Sequence, residues 1–102
     1  MDSNYYEEDK LLVFKINDEI DDYNVHKIRR IADNEIERYM PKKVIFDFSS
    51  VTFMDSSGIG FIIGRYKFAK MLGCQVEISN LNNSIKKVFE MSGILNLIPV
   101  LK

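Results

Sequence analysis

The alternation of short apolar runs with longer amphipathic stretches constrains the fold most strongly. Residues 11–16 (Leu-Leu-Val-Phe-Lys-Ile) and 44–48 (Val-Ile-Phe-Asp-Phe) are short and rich in β-branched and aromatic side chains, which predicts two strands. Between them, residues 22–40 place apolar side chains on one helical face, at Val25, Ile28, Ile31 or Ala32, Ile36 and Tyr39 or Met40. This order predicts a strand–helix–strand unit with two parallel strands and a right-handed crossover.

The rest of the chain continues the same alternation. The pattern predicts a second helix over 57–72, a strand over 75–78, a third helix from Asn82 or Asn83 to Gly93, a weak strand near 5–8 and extended segments over 51–54 and 95–101. In the second helix, Ile59, Ile62 or Ile63, Tyr66 and Ala69 are expected to face inward. We therefore expect one α/β domain over residues 1–102, with helices packed against a small, mostly parallel sheet. Strand 44–48 is apolar enough to be covered on both faces.

Composition excludes several classes of protein. The 102 residues are 46% hydrophobic with a net charge of −1, which indicates a folded domain and argues against a nucleic-acid binder. Cys74 is the only cysteine, so neither an internal disulfide nor a multi-cysteine zinc site is expected, and we predict no metal or cofactor. The acidic start does not resemble a signal peptide, and no apolar run reaches the roughly 20 residues of a membrane span. A cytoplasmic protein is expected.

Charge is distributed unevenly along the chain. Residues 1–22 contain eight acidic and two basic side chains, whereas the remainder contains an excess of bases. One interpretation is an ordinary solvated face. The other is an acidic docking surface for a basic partner, with Asp21 as a candidate contact.

Three loops are expected to meet at one edge of the sheet. Parallel strands end at the same edge, so the loops at 17–22, 49–57 and 79–83 should be neighbours. Ligands and partners of open α/β sheets commonly use that edge. The most distinctive sequence, residues 51–60, lies in one of these loops.

Residues 51–60 read Val-Thr-Phe-Met-Asp-Ser-Ser-Gly-Ile-Gly and allow three interpretations. In the first, Asp55 or Ser56 caps the second helix, and the glycines permit close packing. In the second, a serine is a catalytic nucleophile, but neither Ser56 nor Ser57 has the flanking glycines of a nucleophile elbow and nothing in the spacing recommends His26 as a base. In the third, a serine at an exposed helix N-terminus is phosphorylated without breaking the fold. An enzyme is not predicted.

Two segments resemble a known family. The run 53–60 (Phe-Met-Asp-Ser-Ser-Gly-Ile-Gly), continued by Gly-Arg-Tyr-Lys at 64–67, resembles the phospho-acceptor segment of bacterial anti-sigma factor antagonists, which share the STAS domain. The run 85–94 (Ile-Lys-Lys-Val-Phe-Glu-Met-Ser-Gly-Ile) is similar to the third-helix segment of that family. The likeness extends from about residue 11 to residue 97 and is greatest to the members that act in sporulation.

The resemblance implies a switch mechanism. In that family the unmodified protein binds an anti-sigma factor that is a serine kinase, and a captured sigma factor is released. The kinase inactivates the antagonist on the serine that follows the aspartate, here Ser56, and a PP2C-type phosphatase restores it. The implied partner-binding residues are Asp21, Asp55, Ser56, Ser57 and Gly58. The alternative is an antagonist or a scaffold-type domain in a general stress sigma factor pathway with the same switch.

The chain departs from the family pattern in two places. The family often has Gly-Glu-Leu-Asp after the second strand, whereas residues 18–21 read Asp-Glu-Ile-Asp. Asp tolerates positive φ better than most residues, so a turn is still expected there. Related antagonists often carry a long final helix after the position of Lys102, so one flank of the sheet is expected to be less covered.

Overall fold

The computed structural model of the chain describes residues 1–17 and 19–101. The strands are β1 (Asp2–Tyr6), β2 (Leu11–Lys15), β3 (Lys43–Asp47), β4 (Gln75–Ser79) and β5 (Val100–Leu101), and the helices are α1 (Val25–Tyr39), α2 (Ser56–Met71) and α3 (Asn83–Ser92), followed by a 3-10 turn (Ile94–Asn96). The five strands form one sheet in the order β1-β2-β3-β4-β5. β1 is antiparallel to β2 and the other pairs are parallel, which confirms the predicted α/β fold.

Local capping signals predicted the ends of α2 and α3 closely. The Asn82 side chain accepts a hydrogen bond from the backbone N–H of Ile85 at 2.9 Å, and Gly93 ends α3 with φ of 79°. Gly73 follows α2 with φ of 84°, a left-handed conformation that glycine adopts without steric cost. These caps act within a few residues, so the sequence alone carries their signal.

Three predicted boundaries were wrong. The helix predicted from residue 22 begins at Val25, because residues 21–24 form a turn in which the Asp21 carboxylate accepts backbone N–H groups. The first strand covers Asp2–Tyr6 instead of 5–8. Residues 95–101 are not one extended segment, since a 3-10 turn comes first.

The sheet is covered on one face, which corrects the expectation that β3 is buried on both. Leu12, Phe14, Val44, Phe46, Val76 and Ile78 point to the helical side and are buried. The alternate positions point the other way, where Leu11, Val13 and Ile45 are only partly buried. The ring centroid of Phe46 lies 5.3 Å from that of Phe14 on the neighbouring strand and 6.0 Å from that of Phe61 in α2, and the second contact joins the sheet to the helices.

The inner face of α2 also differs from the prediction. Its buried side chains are those of Phe61, Ile62, Arg65 and Ala69, whereas Ile59 and Tyr66 are only partly buried. Apolar residues surround most of this helix, so its periodicity did not define a face. Burial and the charge of Arg29 lower the pKa of Arg65, and the neighbouring Asp33 opposes both effects. Arg65 Nε lies 2.6 Å from an Asp33 carboxylate oxygen, which links α2 to α1.

Candidate functional site

The loops that follow β2, β3 and β4 meet at one edge of the sheet, as predicted. The Asn80 side chain donates to the Asp47 carboxylate at 2.9 Å, and the Asn82 side chain donates to the Val51 carbonyl at 2.8 Å. The Ser57 hydroxyl donates to the Asp22 carboxylate at 2.6 Å. The three loops therefore form one continuous surface. The turn predicted over residues 18–21 begins at Asp18, which lies outside the described residues.

The start of α2 carries the candidate phospho-acceptor. Asp55 is the N-cap residue in an extended conformation, and its carboxylate accepts a hydrogen bond from the Ser57 backbone N–H at 2.8 Å. This bond satisfies one of the free N–H groups of the first helical turn. Asp55 and Ser56 are exposed, whereas Ser57 is partly buried. Asp55 thus holds the helix start in place while leaving the Ser56 side chain at the surface.

Gly58 is required by the packing of Met54. A Cβ atom at position 58 would overlap the Met54 side chain at Cγ and Sδ, and both residues are buried. Gly60 and Gly64, in contrast, have open space where a Cβ would lie. The predicted role of glycine in close packing therefore holds for Gly58 alone among these three. Gly58 fixes how the loop from β3 approaches the helix that bears Ser56.

Asp21 organises the neighbouring turn. Its Oδ1 accepts hydrogen bonds from the backbone N–H groups of Tyr23 at 2.9 Å and Asn24 at 3.0 Å. Its own N–H donates to the Asn24 side chain at 3.0 Å. Asp21 is partly buried, so this aspartate has a structural role at the same edge as Ser56.

Asp22 is the site residue that sequence reasoning did not assign. It contacts Ser57 directly from a position 35 residues earlier in the chain. The only local signal was an acidic pair in a turn at the carboxyl edge of the sheet. Nothing in the sequence indicated which of the two aspartates would reach the serine loop.

Asp47 lies at the end of β3, beneath these loops. Partial burial alone would raise the pKa of Asp47, but hydrogen bonds from Asn80 and Ser49 and the charge of Lys15 outweigh it and lower this pKa below the usual value for aspartate. The Ser49 backbone N–H donates to the same carboxylate at 2.9 Å. An ionised Asp47 therefore ties the loop after β3 to the loop after β4.

The arrangement does not favour serine hydrolysis. His26 is exposed and lies with Ser57 along a groove of about 470 Å³ between α1 and α2. The Ser57 hydroxyl donates to Asp22, however, so no Ser–His hydrogen bond is made by that donor. In residues 1–17 and 19–101, no cluster of His, Cys, Asp and Glu is suited to a metal ion, and none of the described helices is long and apolar enough to cross a membrane.

Comparison with known proteins identifies the family. The profile of the STAS domain matches residues 2–102. The anti-sigma F factor antagonist of Paenibacillus polymyxa is 28% identical over 88% of this chain and 77% of its own. The anti-sigma-B factor antagonist of Listeria monocytogenes is 27% identical over 80% of this chain and 71% of its own.

Solved structures agree with this assignment. The anti-sigma factor antagonist SpoIIAA in its unphosphorylated form superposes with a TM-score of 0.78 at 26% identity, covering 92% of this chain and 82% of its own. Its phosphorylated form superposes with a TM-score of 0.69 over 92% and 85% of the two chains, also at 26% identity. The Paenibacillus polymyxa and Listeria monocytogenes relatives are both named for a regulatory role rather than for catalysis. The chain belongs to the STAS-domain family, and the relatives that it resembles at 26–28% identity are anti-sigma factor antagonists.

Proposed function

We propose that this chain is a phosphorylation-switched binding protein in sigma factor control. The unmodified form binds an anti-sigma factor that is also a serine kinase, so that the captured sigma factor is released. Phosphorylation of Ser56 by that kinase ends the binding, and a PP2C-type phosphatase restores it. Because a sigma factor acts on transcription inside the cell, the protein is assigned to the cytoplasm.

The observation that supports this proposal most strongly is the state of the Ser56 hydroxyl. It is exposed at the first residue of α2. Within residues 1–17 and 19–101, no protein group forms a hydrogen bond with it. A kinase can therefore bind and phosphorylate this hydroxyl without breaking a hydrogen bond of the folded protein. SpoIIAA, which is 26% identical to this chain, has been solved in an unphosphorylated and in a phosphorylated form, and phosphorylation of a related antagonist supports the proposal.

The physical effect of the phosphate is local. It adds a charge of about −1.5 to −2 at neutral pH. The free N–H groups and the positive end of the helix dipole at the start of α2 favour an anion there, so α2 remains folded. The partner then meets a changed charge and a larger side chain at an otherwise unchanged surface, and binding is lost.

The proposed contact surface contains Asp21, Asp55, Ser56, Ser57 and Gly58. Asp21 lies at the same sheet edge as Ser56, and its turn uses Oδ1, so Oδ2 is the oxygen we assign to a basic group of the partner. Asp55 and Gly58 hold the loop in the shape that the partner recognises. Opposite charges at such a rim mainly accelerate association.

Two sigma factor pathways are candidates for this chain. We assign the chain to the sporulation pathway, as an anti-sigma F factor antagonist, because the Paenibacillus polymyxa relative is 28% identical over 88% of this chain, against 27% over 80% for the Listeria monocytogenes relative. The similarity to anti-sigma-B factor antagonists favours a general stress pathway as the second candidate. Binding of the purified protein to an anti-sigma F kinase and to an anti-sigma-B kinase, measured side by side, separates the two.

The phospho-acceptor is tested by incubation with the kinase and ATP, followed by mass spectrometry. We expect one phosphate on Ser56, none in Ser56→Ala, and Ser56 still as the modified residue in Ser57→Ala. Ser56→Ala should retain kinase binding, since its hydroxyl makes no protein hydrogen bond among the described residues. Phosphate on Ser57 alone, or none with either kinase, would contradict the proposal. Far-UV circular dichroism should hardly change on phosphorylation.

A further inference from the structure

Ser56 and Ser57 are adjacent hydroxyls at the start of the same helix, yet their environments differ. The Ser56 side chain is exposed and has no hydrogen bond to protein in the described part of the chain. Ser57 is partly buried, its backbone N–H donates to Asp55 at 2.8 Å, and its hydroxyl donates to Asp22 at 2.6 Å. The fold thus distinguishes two serines that a kinase would otherwise meet as neighbours.

The contact with Asp22 is the larger difference. A hydroxyl that donates to a carboxylate at this distance forms a charge-assisted hydrogen bond, which is stronger than a bond between neutral groups. The bond joins the turn before α1 to the start of α2. Moving the Ser57 hydroxyl away from Asp22 would therefore cost more free energy than moving the Ser56 hydroxyl.

From this geometry we infer that Asp22 is a positioning residue that confines phosphorylation to Ser56. The inference rests on the proposed function, because it concerns which serine the kinase modifies. Asp22 holds the Ser57 hydroxyl in place and leaves Ser56 as the free acceptor. Asp22 itself does not need to contact the kinase or ATP.

The chemistry of phosphoryl transfer supports this role. The serine oxygen forms a bond to the γ-phosphorus of ATP, the bond to the ADP oxygen breaks, and the hydroxyl proton passes to a base of the kinase. For Ser57, that oxygen must first leave Asp22. A phosphate on Ser57 would then lie beside the Asp22 carboxylate, whose negative charge repels it.

The test compares phosphorylation of four variants by the cognate kinase, with each site quantified by mass spectrometry. In Ser56→Ala, Ser57 should remain almost unmodified. In Ser56→Ala/Asp22→Ala, phosphate on Ser57 should increase about tenfold or more, the change that corresponds to losing a hydrogen bond to a charged group. Ser56→Ala/Asp22→Asn should show a smaller increase of phosphate on Ser57, since an amide oxygen can still accept the hydrogen bond from the Ser57 hydroxyl. Ser56→Ala/Glu19→Ala is the matched control, because Glu19 is an exposed acid of the same turn region with no bond to Ser57.

The outcomes separate this inference from the proposed function. If wild type is phosphorylated on Ser56 but the Asp22 double variant gains nothing over Ser56→Ala, the role of Asp22 is wrong and the switch stands. An equal gain in the Glu19 control would assign the effect to general charge and also reject the role of Asp22. If wild type takes no phosphate at all, the proposed function fails.

A second measurement tests Asp22 without a kinase. Ser57→Glu places a carboxylate against Asp22, whereas Ser56→Glu does not, so Ser57→Glu should melt about 4 °C lower or more. Replacing Asp22 by Ala in both variants should remove most of that gap. Equal melting temperatures of the two Glu variants with Asp22 present would overturn the inference, whatever the kinase does.

Discussion

Gly58 and Gly60 lie two positions apart in α2 and have opposite surroundings. A Cβ at position 58 would overlap Met54, whereas position 60 has open space. Gly58→Ala should therefore destabilise the protein by about 1–3 kcal/mol, since the buried Met54 must move or leave its rotamer. Gly60→Ala should stabilise it by about 0.5–1 kcal/mol, because alanine loses less conformational entropy in a helix.

Urea denaturation of the two variants beside wild type measures both changes. The pair controls for helix propensity, since both replacements favour the helix equally and only one creates a clash. Stabilisation of both variants would show that Met54 moves aside easily, and the rigid approach of the loop to α2 would then be wrong.

At the level of secondary structure elements, the start of α1 depends on the Asp21 turn. The Asp21 carboxylate accepts hydrogen bonds from the backbone N–H groups of Tyr23 and Asn24. Asp21→Ala should destabilise the protein by about 1 kcal/mol, whereas Asp21→Asn retains an acceptor oxygen and should cost less. Both variants remove the negative charge, so both should bind the proposed kinase partner more slowly than wild type.

Melting temperature and association rate, measured together, separate the two roles of Asp21. A capping role alone predicts that Asp21→Ala melts lower while its kinase affinity is unchanged. That result would remove Asp21 from the contact surface. Asp21→Lys is the stronger test of docking, because it reverses the charge and should weaken binding further.

For the whole molecule, Asp47 joins the loops that follow β3 and β4. Burial alone would raise the pKa of Asp47 in the folded state. The hydrogen bond from Asn80, together with smaller contributions from Ser49 and Lys15, outweighs burial and lowers this pKa. A lowered pKa means that the ionised form stabilises the fold above the unfolded pKa of about 3.9, and that this contribution is lost as the pH falls through the folded value. Asp47→Asn should therefore be less stable than wild type at pH 7.

The stability difference between wild type and Asp47→Asn should shrink as the pH is lowered below about 5. Urea denaturation at several pH values between 7 and 3 measures it. Asn keeps the size and an acceptor oxygen, so the comparison isolates the charge. A difference that is constant over this range would show that the Asp47 carboxylate does not stabilise the sheet edge through its charge.

The sequence by itself determined the elements whose signals are local. The helical period, the Asn82 cap and the glycines at 73 and 93 act within a few residues of the structure they specify. It also placed Ser56 after Asp55 at the start of a helix, and the order of strands and helices implied that three loops share one edge. These features need no knowledge of distant contacts.

Only the tertiary structure decided the features that depend on residues far apart in the chain. Arg65 is buried because Asp33 of another helix neutralises it, and Ile45 remains partly exposed because no helix covers the second face of the described sheet. The Asp22–Ser57 hydrogen bond exists because the strand ends bring two loops together. Since a hydrogen bond requires contact within about 3 Å, a separation of 35 residues leaves it invisible in the sequence.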